Sequence, residues 1–587
     1  MQDGTSALAS ASASGAVPFG YRMAPLCRFL AMGLLLHLAA WAGSWLTPKT
    51  ALISLLWWSL GGSLLLVSCL RWGARVCGAA WLSLFLLFGV DIAVASVVLR
   101  HFGTTPRPGV LVQALANTQA AEVRAFIEAQ AWSLLKGLSF AAGAVALGLR
   151  GRPPADVWTC AARRRLRSRR HAPMLVALVL ATIALHNNRS MMKRHPLLRW
   201  SVLLAQHRDA ERDIRHQADD RAAVWRDRAS WALHLTDPSP RTVVVVIGES
   251  GTRFNWGLYG YSRDTTAPLA RTLSSLPGRT VLWRHAWSAA STTYPSLRLA
   301  LTPARLDGDE AQTRHLPDIT QLAQAAGYHV SWLSNQARRE GWFAAIADSA
   351  DANRFVNNGY WNDSSATDDA LLPVLREQLG LSAGTPAAAA AAIPPAAREL
   401  IVVHLLGQHF RYAQRCPEGV GPWPGKEDDD VTRQMKAQGR AWWVRAARDD
   451  YDNAMLCGSR VLAGILALVH EARPDRAVDV LHFSDHGQDV GHQRNEASHS
   501  ERAESGFAIP MLWWRRDGTA SGDAVTSASD AEPPRWDERP FRLDSADHLM
   551  HALLRIRSRW YEPTLDPSSP AYAPEASMTA PPIRPAD

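Results

Sequence analysis

The sequence predicts an N-terminal five-helix transmembrane bundle followed by a C-terminal α/β domain with a central, mostly parallel sheet. Three observations predict it. Five apolar stretches fill the first third of the 587 residues. Three runs of apolar β-formers in the second half each lead into residues suited to gripping a metal or a phosphate: Val243–Glu249, Leu400–Val403 with Gly407-Gln408-His409, and Val478–Gly487. Strand-like and helix-like segments alternate after about Thr242, which is the pattern of an α/β domain.

The five stretches are about Cys27–Leu46, Ala51–Leu70, Val76–Val98, Ala125–Leu149 and Pro173–Leu185. A helix crosses a bilayer in roughly 20 residues, and the last stretch is the shortest of the set. The first is too long for a removable signal peptide and lacks a small-residue cleavage site. Eight arginines (Arg150, Arg152, Arg163, Arg164, Arg165, Arg167, Arg169, Arg170) stand between the fourth and fifth stretches against the lone Asp156. Arg71 and Arg75 flank the turn between the second and third. Positive loops stay in the cytoplasm, so the N-terminus is expected inside and everything after about residue 190 outside the inner membrane. The net charge of +9 could instead mark a nucleic-acid arm. The long apolar flanks of the arginine cluster favour the membrane, so no nucleic-acid partner is expected. Asp91 and Lys136 fall inside predicted spans, where charge is costly and often functional.

The expected organisation is a disordered N-terminus over 1–20 and a five-span domain over 21–188. Amphipathic linker helices at the membrane surface follow over 189–240, then a catalytic domain over 241–562 and a flexible tail over 563–587. The tail is rich in Pro, Ala and Ser, a composition that buries little. Segments 382–397 and 516–534 read as loops added to the core. Further strands are expected at His329–Leu333 and Met511–Trp514, and a helix over Asp452–Val469. Two of the six cysteines, Cys416 and Cys457, lie in the outward domain. They could pair in an oxidising compartment or stand as free buried thiols.

Ligands of open parallel sheets sit at the carboxyl ends of the strands. Glu249, His409, Asp485 and His486 are therefore expected at one edge of one sheet, and their oxygen and imidazole donors suit Zn²⁺. Gly248 and Gly487 would let the chain bend there. Ser484-Asp485-His486-Gly487 reads equally well as a hydrogen-bonded Asp–His pair in a loop. His404 and His482 lie inside strand runs and read as structural, whereas His492 competes for a functional role. Pro295 fits the first turn of a helix, which puts Thr293 near a helix N-terminus, where phosphate is favoured. A metal there would activate its hydroxyl as a nucleophile. Thr292 or Thr293 could also be a plain N-cap.

Gly248-Glu249-Ser250, Tyr259-Gly260-Tyr261 with Thr265-Thr266, Thr293-x-x-Ser296, Ser334-Asn335-Gln336, Gly407-Gln408-His409, Tyr451-Asp452-Asn453 and Ser484-Asp485-His486-Gly487 occur in this order. In that order they resemble the membrane phosphoethanolamine transferases of the alkaline-phosphatase/sulfatase superfamily. The resemblance spans nearly the whole chain and makes the C-terminal domain sulfatase-like. It implies Zn²⁺ held by Glu249, Thr293, Asp485 and His486, with Thr293 as the residue that becomes phosphorylated. It implies that His409 and His499 bind substrate by holding its phosphate, or else hold a second zinc, and that Thr118 and Glu122 in the outward loop between the third and fourth spans bind substrate. The family's asparagine four residues before that threonine is Ala114 here. Cysteines that flank the nucleophile in some members are Ala289 and Leu299 here. Thr293 also stands where sulfatases carry the cysteine or serine that becomes formylglycine.

The resemblance implies transfer of phosphoethanolamine from phosphatidylethanolamine to a glycan or glycolipid acceptor (lipid A, a core sugar or a periplasmic glucan) through a phospho-threonine. The protein is then a multi-pass protein of the bacterial inner membrane with its catalytic domain in the periplasm. The alternatives are glycerophosphate transfer of the lipoteichoic acid synthase type and a non-catalytic membrane scaffold.

Overall fold

The structure, a computed structural model, describes residues 24–46, 48–102, 131–159, 172–187, 219–308, 313, 315–336, 342–357, 367–381, 396–417, 419–425, 427–493, 495–518 and 535–583. Its N-terminal part is helical: α1 (Ala24–Ala42), α2 (Pro48–Trp57), a π-helical turn (Trp58–Gly62), α3 (Ser63–Cys69), α4 (Ala74–Phe102), α5 (Ala131–Gly151) and α6 (Ala172–Asn187). The turn links α2 and α3 into one rod, so these make five apolar rods. Four of them contain segments long and apolar enough to cross a membrane: Pro25–Ala42, Thr50–Cys69, Ala74–Val97 and Ala131–Gly151. The fifth, α6, is described over 16 residues.

The bundle packs on aromatic side chains. Phe29 stacks on Trp58 with ring centres 4.6 Å apart. The indole N–H groups of Trp58 and Trp81 donate to the Phe29 and Gly148 carbonyls at 3.1 and 2.8 Å, so neither polar group is left unpaired in an apolar setting. A Cβ on Gly137 would meet Ala93 Cα at 2.9 Å. The small residue lets α4 and α5 approach backbone to backbone. Asp91 is buried in this bundle, whereas Lys136 is exposed with its ammonium 5.4 Å from the Trp132 ring.

The C-terminal domain is built on a seven-stranded sheet. Its strands are β1 (Arg241–Gly248), β2 (Arg279–Leu282), β3 (His329–Ser334), β4 (Ala352–Phe355), β5 (Arg398–His404), β6 (Ala477–Ser484) and β7 (Met511–Arg516). The order across the sheet is β2-β7-β6-β1-β5-β3-β4. The five strands β6-β1-β5-β3-β4 are mutually parallel, and β7 runs antiparallel to both its neighbours. All eight residues of β1 are buried. Val243, Val245 and Ile247 join one apolar core and Val244 and Val246 the other, one on each face, as a strand covered on both sides requires. The three runs singled out in the sequence are thus the three central strands.

Two helices matter for the site. The first, α7, spans Thr293–Ala300. The second, α8, spans Trp442–Ala472 and so begins ten residues before the sequence expectation of Asp452. The extra turns are amphipathic and bury Val444, Arg448 and Asp449. Part of α8 is long and apolar enough to cross a membrane, but 67% of it is buried inside the protein. There it covers one face of the sheet through Ile465 and Leu466. Cys416 and Cys457 form a disulfide with Cα atoms 5.6 Å apart, ordinary spacing for that bond. It ties the β5–α8 connection to α8.

Two boundary expectations are corrected. Residues 189–218 lie outside the described residues, but 219–240 belong to the domain rather than to a surface linker. Trp231 is 1% exposed in the core with Val224, and its ring lies 6.1 and 6.2 Å from those of Trp225 and Trp560. The segment after residue 563 is held on the domain through residue 583. Arg539 donates to the Pro567 and Ser569 carbonyls at 2.7 and 2.6 Å, and Leu565 and Asp566 are buried. A composition poor in core formers concealed those arginine anchors. Most of the two expected loops, 382–395 and 519–534, lies outside the described residues.

Candidate active site

The central strands end side by side, and the residues that follow them meet. Glu249 comes directly after β1, Asp485 and His486 directly after β6, and Gly248 pairs with Ser484 in register. Glu249, Asp485 and His486 offer donor atoms within 4.8 Å of one another, and all three residues are buried. Thr293 is the first residue of α7. Its hydroxyl lies 3.1 and 3.3 Å from the two Glu249 carboxylate oxygens and 3.4 Å from His486 Nε2. Thr292 is the N-cap by backbone conformation but makes no side-chain cap bond, so the Thr293 hydroxyl is turned to the carboxylate instead.

Each member of the cluster is oriented from behind. Asp485 Oδ1 accepts two backbone N–H groups, from Ser250 at 2.9 Å and His486 at 2.7 Å. Its Oδ2 is buried and accepts no hydrogen bond, and it faces His486 Nε2 at 3.3 Å. His486 Nδ1 lies 2.8 Å from the Gly487 carbonyl. A carbonyl accepts only from a protonated nitrogen, so Nδ1 carries a proton and Nε2 is the ring nitrogen that faces the cluster. Glu249 Oε1 accepts from Ser250 Oγ at 2.8 Å. One carboxylate oxygen of Asp485, the Nε2 of His486 and the Glu249 carboxylate therefore point at one spot, and this donor set fits a divalent cation such as Zn²⁺, which would take the place of the proton on Nε2.

The electrostatics agree. Burial raises the Asp485 carboxyl, and the Glu249 charge adds to it. Burial lowers His486, but Asp485 and Glu249 outweigh it and raise the imidazolium to about 9. Burial also works against the Glu249 charge, yet His486, His409 and Ser250 hold its carboxyl well below the usual carboxylate range. The cluster calls for positive charge at its centre.

His409 and His499 are half-buried, as is Thr293. The His499 ring lies 4.7 Å from that of His486, and Phe410 separates it from His409 at ring distances of 5.8 and 6.4 Å. The competitors fall away. His404 is buried against Trp332 and Phe343 and is driven down to about 4 by burial. His482 lies on Trp256, its Nδ1 3.0 Å from the Val246 carbonyl. His492 faces Asp489 at 3.7 Å, and burial with nearby Arg448 pulls it down to about 4. Thr118 and Glu122, like Ala114, lie outside the described residues.

Three supports act in ways the sequence did not show. Ser296 Oγ donates to the Asp485 carbonyl at 2.6 Å. Tyr451 Oη donates to the Ser250 carbonyl at 2.7 Å and accepts from the Thr252 N–H at 2.9 Å. Asp368 accepts from the Leu406 and Gly407 N–H groups at 2.8 and 2.9 Å and so fixes the turn before His409. Tyr451 and Ser296 were visible as motif members, but not what they brace.

The glycines act differently from the expectation. Gly248 continues the strand, and the positive φ of 57° belongs to Ser250. Gly487 is needed for space, because a Cβ there would meet the Ser505 carbonyl oxygen at 2.1 Å. Gly407 has φ 53°, and its Cβ would lie 2.6 Å from the Glu249 carbonyl oxygen; only glycine suits that position.

The profile of the Sulfatase family matches residues 241–551. Phosphoethanolamine transferase EptC of Escherichia coli K12 is 26% identical over 340 residues, 57% of this chain and 54% of that protein. Phosphoethanolamine transferase CptA of Salmonella typhimurium is 26% identical over 355 residues, 59% of this chain and 56% of that protein. The matched region spans about half the length of these curated relatives. Among solved structures, the integral membrane lipooligosaccharide phosphoethanolamine transferase A of Neisseria meningitidis matches 93% of this chain and 96% of its own, with TM-score 0.53 and 18% identity. The periplasmic domain of E. coli EptC in complex with Zn matches 59% of this chain and 91% of its own, with TM-score 0.50 and 24% identity. At those identities the structures establish a common fold, the full-length match including the helical bundle.

Proposed function

The chain belongs to the sulfatase family, and from that premise we propose that it transfers phosphoethanolamine from phosphatidylethanolamine to an envelope glycan or glycolipid, with Thr293 as nucleophile. The observation that carries this reading is the Thr293 hydroxyl, half-buried and within hydrogen-bond reach of Glu249 and His486. The relatives named above are phosphoethanolamine transferases. Threonine cannot be converted to formylglycine, so the sulfate-ester route of the wider family is closed here.

Glu249, Asp485, His486 and the Thr293 hydroxyl would hold Zn²⁺. When bound, its charge lowers the pKa of the hydroxyl and offsets negative charge on the phosphoryl oxygens. Glu249 Oε2, 3.1 Å away, is the acceptor nearest the Thr293 proton. The Thr293 oxygen then bonds to phosphorus, the bond from phosphorus to the glycerol oxygen breaks, and diacylglycerol leaves with a proton. His409 and His499, both half-buried, would bind the phosphoryl oxygens through their ring N–H groups. In the second half an acceptor hydroxyl attacks phosphorus, the bond to Thr293 breaks, and the threonine regains its proton. The apolar helices support a membrane site, with the catalytic domain on the periplasmic side of the inner membrane. A lipid donor gives that anchor a purpose.

Mass spectrometry of the Thr293 peptide after incubation with phosphatidylethanolamine tests the proposal. A phosphoethanolamine adduct on Thr293 is expected. A glycerophosphate adduct formed instead from phosphatidylglycerol would reassign the donor. A peptide left unmodified in zinc-loaded protein would favour a scaffold.

A further inference from the structure

Four tryptophans among the described residues are more than half exposed: Trp41, Trp72, Trp132 and Trp442. Three of them stand at the ends of the apolar rods. Trp41 is next to last in α1, Trp72 lies in the turn between α3 and α4, and Trp132 is the second residue of α5. With the N-terminus inside, Trp41 and Trp132 fall at the periplasmic end of the bundle and Trp72 at the cytoplasmic end. Tryptophan gathers at these two levels because the indole has an apolar body and a polar N–H. The fourth, Trp442, is the first residue of α8 in the C-terminal domain and is 74% exposed. A lone apolar side chain in water is ordinary, so its surroundings decide what it is for.

Those surroundings tie it to the bundle. The Ala441 N–H donates to Asn495 at 2.8 Å, and Arg440 donates to the Gly491 and His492 carbonyls at 2.9 and 3.0 Å. These partners belong to the short ladder in which Asp489–Val490 pairs with Ala497–Ser498. Ala497–Ser498 lies against both α4 and α8. Two residues of chain, a reach of about 7 Å, separate Asn495 from Ala497. The start of α8 is therefore held beside a membrane helix, at the end of the bundle where Trp41 and Trp132 stand.

Trp442 is also part of a patch. Pro422, Trp423 and Pro424 share with it the walls of one surface cavity. The charges around that cavity nearly cancel. Asp428 is paired with Lys436, and Asp429 and Asp449 with Arg263 at 2.6 and 2.7 Å. The two remaining charges in the walls, Glu427 and Arg445, have opposite signs. An apolar rim without strong net charge suits the headgroup layer of a zwitterionic bilayer, where the indole ring meets acyl chains and its N–H meets phosphate or ester oxygens. Resting on the membrane reading above, and not on the chemistry at Thr293, we propose that Trp442 and its proline neighbours dock the C-terminal domain on zwitterionic phospholipid of the periplasmic leaflet. The domain then has a hold on the membrane of its own, besides the bundle.

The test places a photoreactive aromatic residue at one position at a time in the full chain. The variants are Trp442→benzoylphenylalanine, Trp132→benzoylphenylalanine at the bundle end, and Asp475→benzoylphenylalanine. Asp475 is exposed and precedes β6, at the edge of the sheet opposite the candidate site. Each protein is reconstituted in vesicles of phosphatidylethanolamine and phosphatidylcholine, irradiated, and read by peptide mass spectrometry. Phospholipid adducts are expected at 442 and 132 and none at 475, unchanged by high salt. In the otherwise native chain, Trp442→Ala should speed amide hydrogen exchange in the ladder of Asp489–Val490 and Ala497–Ser498 in vesicles. The proposal is overturned if 442 gives no lipid adduct while 132 does, or if 475 is labelled as strongly as 442. It is overturned if 442 crosslinks to a second copy of the chain, or if its lipid adduct appears only after phosphatidylglycerol is added. Exchange indifferent to Trp442→Ala overturns it as well, because the native indole would then hold nothing. Absence of adduct at both 132 and 442 would sink the membrane reading itself. None of these readouts involves turnover, so failure of Thr293 to accept phosphoethanolamine is a separate result.

Discussion

Ser296 Oγ donates to the carbonyl oxygen of Asp485 at 2.6 Å, which joins the helix of the candidate nucleophile to the loop of a candidate metal ligand. The bond spans one turn of α7, so Thr293 is indexed to Asp485 through three residues of rigid helix. Replacing Ser296 by Ala leaves a buried carbonyl without its donor, a loss of about 1–3 kcal/mol. Expected is a Tm lower by a few degrees and a kcat down about tenfold, with zinc content retained. Calorimetry, metal analysis and donor-lipid turnover check this, and unchanged turnover would remove the indexing role.

Thr293→Ala should abolish the covalent adduct and reduce turnover by about 10³-fold or more, as loss of a nucleophile does. Thr293→Ser keeps the oxygen and should keep both the adduct and a measurable rate. Peptide mass spectrometry on both variants separates loss of the oxygen from loss of the methyl group.

Chelation should lower the thermal midpoint, and added Zn²⁺ should restore it. A ligand at a thousand times its Kd stabilises the native state by about 4 kcal/mol. Glu249→Ala and Asp485→Ala should respond weakly to either treatment. A wild-type midpoint indifferent to chelator and zinc would contradict the assignment of these donors to a metal.

Asp547 gives a pH prediction away from the site. Burial, opposed by Arg305, pushes its carboxyl up to about 7 from an ordinary 3.8. Because the folded value is the higher one, its contribution to stability is full below about pH 4. That contribution is lost as pH rises through 7, at about 1.4 kcal/mol per pH unit. Neighbouring His548 is lowered, mainly by burial, to about 2 and trends the opposite way, so the informative quantity is the difference between wild type and Asp547→Asn. That difference should fall steadily between pH 4 and 7 in midpoint measurements; a flat difference would show that Asp547 does not take up a proton on folding.

Gly407→Ala should be more damaging than its size suggests. The new methyl would sit 2.6 Å from the Glu249 carbonyl oxygen at a φ of 53°. Expected is a loss of at least about 1–2 kcal/mol of stability with an equal or greater loss of activity, because the displaced strand end carries Glu249. Denaturant unfolding with parallel turnover assays measures both.

Val243–Ile247 could be read as a buried central strand because it has no polar residue to place on a solvent face, and the residue after it could be read as functional because parallel sheets open there. Asp485 and His486 followed from the same rule. The supports were less legible. Asp368 lies 39 residues before the Gly407 N–H it holds, and an aspartate in a short turn has no local pattern that names such a partner. The conformational work given to Gly248 and Gly487 in the sequence reading belongs to Ser250 and to lack of space, since φ is set by contacts between distant loops. The attachment of residues 564–583 depends on Arg539 and Arg542, which donate to the Pro567, Ser569 and Ser577 carbonyls, a pairing invisible to composition.

Helix α4 lies against Ala497–Ser498, immediately before His499. On the proposed reaction this contact would hold the candidate site at one height above the membrane, and a lipid donor would reach it by lateral diffusion. On the proposed reaction, turnover then follows the mole fraction of phosphatidylethanolamine in the surface. Diluting the same lipid with inert detergent slows the enzyme, even though the amount of lipid in the tube is unchanged.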